Sequence, residues 1–342
     1  MSMEVKKSKE MYKEMNQSSG KEKKEKKERV VPAGMGILVF ILAFAGGVIS
    51  RFVITPSWAG KYSVEWSEKL GTLETDIAYG SGEANKFDLY LPKDNTKESY
   101  GLVVYLHAGG FTSGDKAGDR KTLSWLCSKG YVACGINYTL RTETNNTSVL
   151  TQSNEIKAAI PVVIEEAEKR GYHITEMTIS GGSAGGCLAM LYAYRDAADA
   201  PVPVKLLFEM VGPSSFYAED WGIYGLDQSP EAAAGLFGVM GGVELTPEMI
   251  TSGEYTELLK PISAFRFVNE NTCPSLLLYG TYDKVQPWNG VRHLVQALED
   301  NGVDYKLFKA THSGHGVQND NAVMKAYMET VEEYLGKYMP VK

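Results

Sequence analysis

Short, unbroken apolar runs recur along this chain, and stretches with helical spacing separate them. The runs are Leu102-Val103-Val104-Tyr105-Leu106, Tyr131-Val132-Ala133-Cys134-Gly135-Ile136, Met177-Thr178-Ile179, residues 205–210, Leu276-Leu277-Leu278-Tyr279 and Tyr305-Lys306-Leu307-Phe308. A strand with one wet face alternates apolar and polar residues, whereas continuous runs of this length suit strands covered on both faces. Between them, Ile156, Ala159, Ile160, Val163, Ile164 and Ala167 fall at helical spacing, with Pro161 expected to bend or interrupt that helix. Further helices are expected near 122–128, 184–196, 289–300 and 321–338. Strands alternating with helices imply an α/β fold, a mostly parallel central sheet with helices on both faces. Two β-like stretches, 73–79 and 86–91, read as a hairpin that opens the sheet.

The alternation stops between 213 and 265, a region holding Trp221, Tyr224 and a Gly-rich stretch around 236–243. It reads as a cap or lid inserted over the active site and not as a second domain. A chain of 342 residues, 44% of them apolar, supports one sizeable core, assigned to 73–342.

The N-terminus differs in kind. Residues 1–29 hold ten Lys and Arg against six acids and almost nothing that could be buried, which describes a solvated, disordered cytoplasmic tail. Residues 30–50 carry no charge. As a helix they would be roughly 31 Å long, close to the ~30 Å hydrocarbon core of a bilayer. The expectation is one N-terminal transmembrane signal-anchor over 30–54 and a connector over 55–72. A buried core helix would need a polar face on some turns. Ala43-Phe44-Ala45 also has the form of a signal cleavage site, and cleavage would release a secreted protein, but the long leader favours an uncleaved anchor. The basic flank keeps the N-terminus in the cytoplasm and puts the catalytic domain outside.

Removing the tail's +4 from the formal −7 leaves −11 for the remainder, which argues against a nucleic-acid partner. Cys127, Cys134, Cys187 and Cys273 lie in apolar contexts without CxxC spacing and read as small core residues. Only nearness in sequence supports a Cys127 to Cys134 disulfide. His107, His173, His293, His312 and His315 include no metal-ligand spacing, so neither a metal nor another cofactor is expected.

Gly181-Gly182-Ser183-Ala184-Gly185-Gly186 joins the run ending at Ile179 to an apolar helical segment. In a strand, turn, helix setting Gly-x-Ser-x-Gly lifts a hydroxyl clear of the sheet, because the reversal is too tight for neighbouring side chains. Alone, the pattern also fits a Gly-rich loop that binds phosphate at a helix N-terminus. His107-Ala108-Gly109-Gly110 ends an earlier strand and shifts that balance. Acyl transfer needs N–H donors aimed at a developing anion, and the expected donors are the amides of Gly109, Gly110 and Ala184. His107 is expected to orient this loop. Acid and base should follow the serine in that order: Asp283 ends one strand, and His315, flanked by Gly314 and Gly316, follows the next. His312 competes as base, and Asp304 and Glu209 compete as acid. Asp304 starts a strand and so lies on the wrong sheet edge. Tyr138 and Trp288 are candidates for the pocket wall, although packing is the commoner role for such aromatics.

From about residue 73 onward the chain resembles the α/β-hydrolase superfamily, in particular the hormone-sensitive-lipase-like esterases and the bacterial feruloyl and acetyl esterases of carbohydrate degradation. The segments that carry the resemblance are Phe87-Asp88-Leu89-Tyr90-Leu91-Pro92, residues 105–116, the 181–186 turn, Gly280-Thr281-Tyr282-Asp283-Lys284-Val285 and Gly314-His315-Gly316. Ala108 departs from the family's first glycine. The resemblance implies a Ser183, Asp283, His315 triad, an acyl-enzyme and no cofactor. The function expected is a membrane-anchored carboxylesterase acting on a small-molecule or carbohydrate ester. A serine peptidase or amidase is the enzymatic alternative, and a non-catalytic surface-binding module is the alternative from another class.

Overall fold

The computed structural model describes residues 57–341. The tail and the anchor expected over 30–54 lie outside these residues. No helix among the described residues is long and apolar enough to cross a membrane.

Eight strands form one sheet: β1 (Gly71–Ala78), β2 (Lys86–Pro92), β3 (Tyr100–Leu106), β4 (Val132–Ile136), β5 (Ile174–Gly182), β6 (Val204–Met210), β7 (Ser275–Gly280) and β8 (Tyr305–Ala310). Their order is β1-β2-β4-β3-β5-β6-β7-β8. The hairpin β1–β2 is antiparallel and joins β4 antiparallel, and every later pairing is parallel. Continuous apolar runs become the inner strands for the expected reason. Leu102, Val103, Val104 and Leu106 are all fully buried, each worth about 1.5–3 kcal/mol relative to exposure.

Helices α1 (Arg120–Ser128), α2 (Val149–Lys169) and α3 (Ala184–Leu191) fill the first crossovers. Of the bend or break expected at Pro161, the break does not occur, and α2 runs through it. Its ring is on the exposed side, where water can take the freed carbonyl, while Ile156, Ala159, Ile160 and Val163 bury the opposite face. Ser148 caps this helix through a reciprocal bond pair with Thr151.

Between β6 and β7 the chain is helical, with α4 (Pro230–Gly241), α5 (Pro247–Ser252), α6 (Tyr255–Leu258) and short 3₁₀ turns. Helices α7 (Val291–Asp300) and α8 (Asn321–Tyr338) complete the fold. The connector is more structured than a tether. Its 3₁₀ turn Ser57–Tyr62 inserts Tyr62 edge-on against Trp125, ring centres 5.1 Å apart. Cys127 and Cys134 are buried free thiols, so that candidate disulfide is absent.

Candidate active site

Ser183 sits between β5 and α3 with φ 53° and ψ −120°, a backbone state that costs on the order of 1–3 kcal/mol for a side-chain-bearing residue. Packing enforces it. A Cβ at Gly181 would lie 2.4 Å from the Gly185 carbonyl carbon, and a Cβ at Gly185 would lie 2.0 Å from the Leu106 oxygen. Both glycines are therefore required where the turn meets the end of β3. The Ser183 amide donates to the Met210 carbonyl at 2.8 Å, and the Ser183 carbonyl accepts from Cys187 at 3.0 Å.

The structure brings Ser183, His315 and Asp283 together from the ends of β5, β8 and β7. His315 Nε2 is 2.8 Å from Ser183 Oγ, and Nδ1 is 2.7 Å from Asp283 Oδ2. The carboxylate can only accept, so Nδ1 carries the proton and Nε2 is left to accept from the hydroxyl. Asp283 Oδ1 accepts from the amides of Val285 and Gln286 at 2.7 and 2.9 Å, which fixes the acid from the other side. The loops bearing acid and imidazole meet at Gly280, where a Cβ would come within 2.3 Å of the Gly314 carbonyl oxygen. His312 points elsewhere, its exposed ring 3.1 Å from Asp320. Asp304 pairs with Lys337 and the Tyr334 and Tyr338 hydroxyls. Glu209 is fully buried in β6, its carboxyl group accepting from the Gly212 amide.

After β3 the chain runs through Gly109 (φ 142°) and Gly110 (φ 59°). A Cβ at Gly109 would lie 1.7 Å from the Ser113 oxygen. Ala184 opens α3, so its amide is among those that a helix start leaves unused. His107 is buried and stacks on Tyr138, centroids 4.2 Å apart. Its Nδ1 is 2.8 Å from the Ala108 carbonyl, and burial lowers its pKa, so it is a neutral support for the loop. Tyr138 is packing after all, its hydroxyl donating to the His107 carbonyl at 2.8 Å. Trp288 is half-buried, with the Lys309 ammonium 5.6 Å from its ring centre.

Two supports had no signal in the sequence. Gln152 on α2 donates to the carbonyls of Phe111 and Thr139 at 2.9 and 2.8 Å, holding Phe111 at φ 68° within the Gly109 loop. Tyr224, in the helical insertion, gives its hydroxyl to the Lys284 and Val285 carbonyls beside Asp283. Among the described residues no cluster of His, Cys, Asp or Glu could hold a metal ion.

Comparison with known proteins agrees with this architecture. The BD-FAE family model matches residues 87–298, more than half of the chain. A truncated carbohydrate esterase from gut microbiota superposes with a TM-score of 0.63 at 19% identity, covering 80% of this chain and 99% of that one. Esterase B from Lactobacillus rhamnosis gives 0.62 at 19% identity, covering 88% and 95%. Among curated proteins, the kynurenine formamidase of Salmo salar is 28% identical over 138 residues, 40% of this chain and 44% of that protein. The chain thus spans under half the length of the curated relatives it matches first. With a serine, an imidazole and a carboxylate brought together at the carboxyl edge of its sheet, the chain belongs to the BD-FAE family of α/β-hydrolase esterases.

Proposed function

We propose that Ser183 is the nucleophile, His315 the general base and acid, and Asp283 the group that orients it. The observation carrying this reading is the unbroken hydrogen-bond chain from Ser183 Oγ through both His315 nitrogens to Asp283. Nε2 takes the hydroxyl proton as Oγ bonds to the ester carbonyl carbon, and Asp283 stabilises the imidazolium that forms. The carbonyl oxygen gains the charge, with the amides of Gly109, Gly110 and Ala184 as its donors. His315 then returns the proton to the departing alcohol. Water repeats the sequence on the acyl-enzyme and frees the acid.

The substrate class is a short-chain or carbohydrate-linked ester, with the helical insertion between β6 and β7 shaping the acyl and alcohol pockets as a cap. Residues 30–54 hold the enzyme in a membrane with this domain outside, a reading supported by the uncharged run 30–50 and its basic flank. The similarity to a kynurenine formamidase favours a second reading, in which the same serine cleaves a small N-acyl amide.

A p-nitrophenyl ester series of increasing acyl length, run beside formanilides on the full chain and on Ser183→Ala, separates these readings. Serine-dependent turnover falling with acyl length is expected. Serine-dependent turnover of anilides without any on esters would sink the ester assignment. Protease protection of intact cells tests the topology, and a catalytic domain resistant to external protease would overturn it.

A further inference from the structure

Glu209 is a buried acid that the reaction does not use. It lies in β6, paired in register with Gly181 of β5, and its side chain points at the start of the nucleophile helix. A Cβ on Gly186 would meet Glu209 Oε2 at 3.0 Å, and one on Gly212 would meet it at 2.9 Å. At the end of β6, where the chain turns, the Met210 carbonyl receives the Ser183 amide at 2.8 Å. Next comes Val211 at φ 50°, a strained setting for a β-branched residue. Glu209 Oε2 closes this turn by accepting from the Gly212 amide at 2.8 Å, and Tyr279 donates to the Gly212 carbonyl at 2.7 Å. The Gly212 peptide is thus clamped at both ends beneath the helix that carries Ser183.

The charge state follows from the surroundings. Oε1 has no hydrogen-bond partner of good geometry among the described residues. The titratable groups facing the carboxyl are Tyr279 of β7, Cys187 of α3, Tyr194 in the π-turn Tyr192–Asp196 and Tyr327 of α8. Burial raises the pKa of each, so all are uncharged and none is a cation. A buried carboxylate with one amide donor and no cation is strongly disfavoured.

We propose that Glu209 is a positioning residue, a neutral carboxylic acid that locks the turn supporting Ser183 and whose ionisation disables the site. This rests on Ser183 being the nucleophile. Burial pushes the Glu209 carboxyl up to about 8, against smaller opposing effects of the Gly212 amide and the Tyr279 hydroxyl. The Gly212 amide bonds the ionised carboxyl at least as well, so ionisation acts on the site through its charge. A negative charge in this low-dielectric position opposes the oxyanion that forms at Ser183.

The test compares full-length wild type, Glu209→Gln and Glu209→Leu between pH 5 and 9.5. It reads p-nitrophenyl ester kinetics, labelling of Ser183 by a fluorophosphonate, and thermal midpoints. Glu209→Gln, a permanent neutral mimic, should keep kcat within about threefold of wild type near pH 6.5 and lose the wild-type decline near pH 8. Glu209→Leu should lower kcat about 10- to 100-fold with KM nearly unchanged, as expected for a displaced nucleophile. An acid held protonated makes wild-type stability fall as pH rises from 4.5 towards 8, a slope that Glu209→Gln should remove. Persistence of the alkaline decline in Glu209→Gln, or kcat of Glu209→Leu equal to wild type, would overturn the proposal. Absence of labelling and turnover in wild type at pH 6.5 would instead sink the role of Ser183, and the thermal midpoints would still decide the state of Glu209.

Discussion

Among the described residues, serine, histidine and aspartate meet around Asp283, around Asp220 and around Asp320, and the first two of these clusters differ in order. At the sheet edge His315 stands in the middle, between Ser183 Oγ and Asp283. In the helical insertion Asp220 stands in the middle instead. Its Oδ2 accepts from Ser215 Oγ at 2.7 Å and lies 3.1 Å from His293 Nε2, while Oδ1 accepts from Arg292 at 3.2 Å. The difference in order changes the chemistry. Ser215 donates to a carboxylate and, among the described residues, makes no hydrogen bond to the imidazole, so no imidazole is placed to take its proton. Ser215 is fully buried on an ordinary loop, whereas Ser183 is held on a strained turn. The second cluster is a clasp. It joins the 3₁₀ turn Ala218–Tyr224 to the start of α7, and the hydroxyl of Tyr224 in that turn braces the Asp283 loop. The residue types alone therefore do not set up a nucleophile; the two clusters differ in the middle position of the imidazole and in the strained turn that carries Ser183.

The comparison can be broken most directly at the two serines. Ser183→Ala should remove at least about a thousandfold of kcat on any ester without shifting the thermal midpoint. Ser215→Ala should leave kcat within about threefold and lower stability by about 1 kcal/mol. Equal losses of kcat in the two variants would erase the distinction drawn here.

A smaller effect is expected where the acid and imidazole loops touch. Gly280→Ala places a methyl 2.3 Å from the Gly314 oxygen, so Asp283 and His315 must separate. A displacement of this kind should cost about 10- to 100-fold in kcat with little change in KM. An unaltered kcat would show that the two loops adjust independently.

The smallest effect concerns Asp220 and runs with pH. Burial raises its pKa, but the hydrogen bonds from His293, Ser215 and Arg292 outweigh that and hold it below the ordinary 3.8. A depressed acid adds stability above its unfolded pKa and loses it as pH falls through the folded value. Asp220→Asn should be less stable than wild type by about 1–3 kcal/mol at neutral pH, with the gap closing below pH 3.8. Denaturant midpoints between pH 3 and 7 read this directly, and a constant gap across that range would contradict it. Glu209 has the opposite sign, so the two acids limit stability from opposite ends of the pH scale.

Much of the sheet was legible because burial on both faces leaves a local signature. The apolar runs became β3 to β8 with shifts of a few residues at their ends, and the helix expected over 321–338 is α8. Pro161 misled because intrinsic propensity is local, while the buried face of α2 is decided by its neighbours. The motif glycines were legible for a similar reason, since a turn too tight for side chains restricts its own residues.

What the sequence determined by itself was thus an α/β sheet, a serine on a sharp turn, and a short list of acids and bases at strand ends. Which of them meet was decided by the tertiary structure. Asp283 and His315 are 32 residues apart and His315 lies 132 residues from Ser183, so no local pattern can report a 2.7 Å contact between them. Ser215, Asp220 and His293 show the converse. Their identities match those of Ser183, Asp283 and His315, and only the packing of the insertion against α7 puts the carboxylate in the centre. Gln152 and Tyr224 were hidden for the same physical reason: each acts through directed hydrogen bonds to backbone far along the chain, and such bonds leave no periodicity in a sequence.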